Sequence, residues 1–64
     1  MQHWFFCYKW REDANSPWRE AMEVFKGSFI QLVIMTASQP EEWVITFVKE
    51  INESDFAALD GVIG

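Results

Sequence analysis

One cysteine, one histidine, two prolines and three scattered glycines are all this 64-residue chain offers of the residue types that build most recognisable sites. A lone Cys7 excludes an internal disulfide. So short a chain must then hold together by packing or by a partner, and a reducing cytoplasm is the expected compartment. A closed metal site needs about four converging ligands. His3 and Cys7 are the only soft candidates, and on a strand they stand about 13 Å apart, so no metal and no cofactor are expected. The same separation, with no orienting carboxylate nearby, argues against a Cys–His nucleophile. Gly27, Gly61 and Gly64 are isolated and match no phosphate-binding loop. The longest apolar run, near Phe29 to Ala37, is interrupted by Gln31 and falls far short of the roughly 20 residues that span a bilayer. No basic segment precedes the first apolar run, so the chain reads as soluble and unprocessed.

Basic residues are the other scarcity. Lys9, Arg11, Arg19 and Lys26 balance Glu12, Asp13, Glu20 and Glu23, but beyond Gly27 only Lys49 opposes Glu41, Glu42, Glu50, Glu53, Asp55 and Asp60. The whole formal charge of -5 belongs to the second half. Such a field repels nucleic acid and anionic lipid and attracts basic protein surfaces. Paired carboxylates can do acid–base work, but a domain this small has little room for both a core and a deep pocket, so an enzyme is not expected.

What is abundant is apolar and aromatic. Half the residues are hydrophobic and 17% aromatic, including four Trp and six Phe, enough for one compact domain spanning residues 1–64. Alternation over Gln2 to Trp10 predicts a strand with a heavy face of Trp4, Phe6, Tyr8 and Trp10. Ser16 and Pro17 read as a helix start, and Trp18, Ala21, Met22 and Phe25 fall on one helical stripe, predicting a helix over Pro17 to Lys26 that Gly27 ends. Phe29 to Thr36 reads as a second strand. Glu42 to Ile51 reads as a third because of its β-branched residues, against a helical alternative in which Ser38 and Glu41 form a capping box. Ser54 is placed to cap a short helix, Asp55 to Asp60, ended by Gly61.

The expected fold is therefore α+β: a three-stranded antiparallel sheet built β-α-β-β in the order 1-3-2, the main helix on one face and a short C-terminal helix beyond. The uncovered sheet face would carry His3, Phe5, Cys7, Lys9, Gln31, Val33, Met35, Val44, Thr46 and Val48.

Two interaction surfaces follow. The carboxylates Glu41, Glu42, Glu50, Glu53, Asp55 and Asp60 would face a protein partner with a basic, nucleic-acid-handling surface, imitating phosphates; direct nucleic-acid or membrane binding is not expected. Alternatively Phe5, Val33, Met35, Val44 and Val48, on an open sheet face or beside an edge strand, would form a homodimer. Compact, acidic, cysteine-poor, aromatic-rich chains without a catalytic motif are similar in general character to small inhibitors and host-takeover proteins of bacteriophages, including anti-CRISPR proteins. That resemblance covers size and composition and carries over no residue; it implies a non-enzymatic inhibitor or regulator.

Overall fold

In a computed structural model that describes residues 1–63, the chain runs β1 (His3–Arg11), β2 (Arg19–Lys26), α1 (Phe29–Ala37), β3 (Glu42–Ile51) and α2 (Glu53–Ile63). The class is α+β, with one three-stranded antiparallel sheet and two helices. The strand order is β2-β1-β3, which corrects the expected 1-3-2. The first strand, not the third, is central.

Two expected elements exchange identity. Arg19–Lys26 is a strand rather than a helix, and Phe29–Ala37 is a helix rather than a strand. The physical reason lies in β1, the most aromatic segment, which is too apolar to leave an edge in water. As the central strand it needs neighbours on both sides to take its backbone N–H and C=O groups. β2 supplies one, in register from His3 opposite Lys26 to Trp10 opposite Arg19. Ser16 caps no helix; its N–H donates to the Asp13 carbonyl at 3.1 Å, while the Asp13 carboxylate accepts from the Asn15 N–H at 2.9 Å. This tied turn reverses the chain between β1 and β2.

Helix α1 starts because Gly27, at φ 150, breaks the strand, and Ser28 then forms a capping box. The Gln31 N–H donates to Ser28 Oγ at 3.1 Å, and the Ser28 N–H donates to Gln31 Oε1 at 2.8 Å. Ser38 closes the helix instead of opening one, its N–H donating to the Ile34 carbonyl at 3.0 Å. Strand β3 forms as expected. α2 is longer than expected: Asn52 caps it, accepting the Asp55 N–H at 2.7 Å, and it continues through Gly61 to Ile63.

The heavy face of β1 is the core face. Phe6, Tyr8 and Leu32 are buried, with Trp4, Trp10, Ala21, Phe25, Met35, Trp43 and Val48 packed around them. Tyr8 and Trp43 stack at 4.0 Å, and Phe29 of α1 lies 5.4 Å from Trp4, whose indole N–H donates to the Gly27 carbonyl. β3 carries a bulge: Cys7 pairs with Phe47 and Tyr8 with Ile45, leaving Thr46 without a partner. The extra residue shifts alternation by one, so Trp43, Ile45 and Val48 face the core while Phe47 turns out. Strict alternation would have put Phe47 inside.

Candidate interaction surfaces

Residues opposite one another across the strands share a face. The core face, covered by α1, therefore also carries Glu23 opposite Phe6 and Glu50 opposite Trp4. The other face carries His3, Phe5, Cys7, Lys9 and Arg11 from β1, with Met22, Val24, Val44 and Phe47 beside them. Helix α2 covers one end of that face, where the Phe56 ring lies 4.9 Å from His3.

The expected open-face residues are thus divided. Phe5 and Val44 do lie on the second face. Val48 is opposite Phe6 on the core face, and Met35 packs against the core from α1. Val33 is exposed, but on α1, because its segment is helical.

Helix α1 presents the most distinctive surface. It is nine residues, Phe-Ile-Gln-Leu-Val-Ile-Met-Thr-Ala, with no charged side chain. Leu32 and Thr36 are buried and Met35 is half-buried, so the helix sits on the sheet by that side. The opposite side is also apolar: Ile30 is 71% exposed and Ile34 59%, with Val33 and Ala37 beside them at helical spacing. A helix apolar all round belongs in an interior, and this one is on the surface. The sequence signal for the stripe was present in Ile30, Val33, Ile34 and Ala37. It was hidden by reading the segment with period two.

The six carboxylates of the second half are placed but not gathered. Glu41 and Glu42 stand at the start of β3, and Glu50 lies about 26 Å further along the strand. Glu53 and Asp55 occupy the first turn of α2, where the helix dipole favours negative charge, and Asp60 lies further along that helix. Glu42 is paired with Arg11 at 2.5 Å, and Glu50 accepts from the Gln2 side chain at 3.3 Å.

Burial pushes the Tyr8 phenol above the ordinary value of about 10, and the carboxylates of Glu23 and Glu41 raise it further. A folded-state value above the unfolded one means that Tyr8 contributes stability fully below pH about 10 and loses it as pH rises through the folded value. Tyr8→Phe should therefore flatten the alkaline limb of a stability-against-pH curve measured by urea unfolding. A limb unchanged by the substitution would count against Tyr8 as its source.

His3 and Cys7 share a face but stand four residues apart on a strand, about 13 Å, with His3 beneath Phe56. A shallow cavity of about 390 Å³ lies over Cys7 between Met22 and Thr46, with Glu20 as its carboxylate. Among the described residues no three His, Cys, Asp or Glu side chains converge as metal ligands, and no helix is long and apolar enough to cross a membrane. No protein-family model, curated protein or solved structure matches the chain.

Proposed function

We propose that this chain is a non-enzymatic protein-interaction module that docks the outward stripe of α1 into an apolar groove with a basic rim on a partner protein. The exposure of Ile30, Val33 and Ile34 on a charge-free helix carries this reading. Apolar anchors at i, i+3, i+4 and i+7 are what a groove-binding helix offers. On the sheet face that α1 covers, Glu23 and Glu50 outnumber Arg19, and Glu41 lies near enough to raise the Tyr8 phenol, so the charge beside that centre is net negative. An apolar centre inside a charged rim is the usual anatomy of a protein interface.

The rim also selects the partner. A second copy placed across α1 would set carboxylates against carboxylates, whereas a nucleic-acid-handling protein supplies lysine and arginine around its binding groove. In that role the chain acts as an inhibitor or regulator, consistent with its general resemblance to phage-encoded inhibitors. The stripe supplies most of the affinity, and Glu41 and Glu50 supply steering.

The test is capture of partners from the source cells with tagged wild-type chain and with Ile30→Glu/Ile34→Glu. Two anchors worth about 1–2 kcal/mol each predict a weakening of roughly 30-fold to 1,000-fold in the variant. Wild-type association should also slow as salt shortens the screening length below about 8 Å. Equal capture by the variant would overturn the reading.

A further inference from the structure

The two edges of the sheet are not alike. β2 carries Arg19, Glu20, Glu23 and Lys26 among its eight residues, and α2 packs against it and β1. Charges and a covering helix are the usual protections of an edge strand. β3 lacks both along its centre: it pairs with β1 alone, and its outward backbone N–H and C=O groups take no partner among the described residues. Its six central residues, Trp43, Val44, Ile45, Thr46, Phe47 and Val48, are uncharged, strand-forming and free of proline and glycine. Such an edge is a template for another strand. Val44 and Phe47 on it are 43% and 51% exposed.

The bulge at Thr46 decides what kind of strand fits. Trp43, Ile45, Val48 and Glu50 lie on the core face, and Glu42, Val44, Phe47, Lys49 and Ile51 on the other, where Thr46 also borders the cavity over Cys7. The faces therefore alternate in one phase up to Thr46 and in the opposite phase after it. A straight foreign strand matches one half of this edge and mismatches the other. A second copy of β3 carries the same extra residue. Laid antiparallel about a two-fold axis between Thr46 and Phe47, it sets Glu42 against Ile51 of the copy, Trp43 against Glu50, Val44 against Lys49, Ile45 against Val48 and Thr46 against Phe47. All ten residues of the strand then meet a residue of their own face. A slip of one residue opposes the faces almost throughout, and a slip of two mismatches the central pair.

We infer that β3 pairs with β3 of a second copy of the chain in this register, joining the two sheets into one of six strands. The contact is self-complementary, as a two-fold interface requires. No like charges stand directly opposite within the strands: Glu42 lies diagonal to Lys49 of the copy, and Glu50 of the copy comes opposite Trp43, whose buried indole N–H has no acceptor among the described residues. The opposing term is also electrostatic. Glu41, just before β3, comes near Glu50 of the copy, and each chain carries a formal charge of -5. A contact confined to one strand and its flanking side chains buries on the order of 1,000 Å², at the low end for a specific pair, so association in the micromolar range is expected. No residue of α1 enters the strand pairing, so this inference does not rest on the reading of α1.

Sedimentation equilibrium from about 1 µM to a few hundred µM tests it. The wild-type chain should pass from 7.6 kDa to twice that mass, with the midpoint moving to lower concentration as salt screens the repulsion between the copies. Thr46→Lys sets two ammonium groups beside the two-fold axis and should raise the midpoint at least about tenfold. Met22→Lys, the same charge change at an exposed site on β2, should leave it in place. Val44→Lys faces Lys49 of the copy and should weaken the pair likewise; adding Lys49→Glu should restore it, because this register then opposes lysine to glutamate. A chain that stays monomeric over the whole range, or a dimer indifferent to Thr46→Lys, would overturn the inference. So would a dimer that Met22→Lys weakens as much as Thr46→Lys, or a Val44→Lys dimer that Lys49→Glu leaves weak.

Discussion

Phe6→Ala should cost about 3–5 kcal/mol and leave much of the chain unfolded at room temperature. Phe6 and Leu32 are the two fully buried large side chains, and Phe6 sits at the centre of the central strand, opposite Val48 on one side and Glu23 on the other. Its ring lies 5.6 Å from Tyr8, so truncation opens a cavity in the middle of the cluster that joins sheet to α1. A 64-residue domain has a total stability of about 3–10 kcal/mol. The loss is thus comparable to the whole. Urea unfolding followed by tryptophan fluorescence should show the midpoint collapse toward zero, and a midpoint close to wild type would mean that the cluster around Phe6 is not the core.

Gly27→Ala should be the next most damaging single change, at about 2–4 kcal/mol, although it adds only one methyl group. Gly27 has φ 150, a conformation that residues with a Cβ rarely adopt. A Cβ there would lie 2.6 Å from Gln31 Oε1 and 2.9 Å from the Phe25 ring. Gln31 is a flexible side chain, but its oxygen accepts the Ser28 N–H, so moving it away also opens the capping box that starts α1. Backbone strain and loss of the cap therefore add at one position. Thermal unfolding of Gly27→Ala should show a drop of ten degrees or more by the usual scaling of about 4–8 °C per kcal/mol. A melting temperature within a degree or two of wild type would contradict the strained turn.

Much of the sheet was legible in the sequence. The alternation of Trp4, Phe6, Tyr8 and Trp10 marked both the strand and its core face, and the β-branched residues of Glu42–Ile51 marked β3. Residues 17–36 were not legible by the same means, because local preference and tertiary demand disagree there. Arg-Glu-Ala-Met-Glu-Val-Phe-Lys is rich in helix formers at helical spacing, yet β1 recruits it as a neighbour. Phe-Ile-Gln-Leu-Val-Ile-Met-Thr is rich in strand formers, yet Gly27 and the Ser28–Gln31 box commit it to a helix. Ser28 and Gln31 stand at capping-box spacing in the sequence, and the strand-forming composition after them points the other way. The bulge at Thr46 had no sequence signal, and it alone decides that Val48 is inside and Phe47 outside.

The same exchange redistributes the candidate surface. Counted along the chain, every cation of the first half has an acid close by, which hid the charge difference between the two sheet faces. Pairing across strands rearranges that neighbourhood: Glu23 goes to the core face, while Lys9 faces Glu20 and Arg11 pairs with Glu42 beside Trp18. Likewise the apolar residues Phe29 to Thr36, read as a strand, would have half their side chains covered in a sheet. As a helix they leave Ile30 and Ile34 in water, and no packing demand of this domain explains them. That exposure is the observation on which the proposed docking surface rests.

What touches that stripe can be measured directly by placing a photo-crosslinking residue at position 34 and, as a control, at Glu12 in the exposed β1–β2 turn. Irradiation in the source cells should give a discrete heavier adduct from position 34 and none from position 12, with the adduct lost when Ile30→Glu is added. Adducts of equal yield at both positions, or none at position 34, would contradict the assignment of α1 as the docking surface.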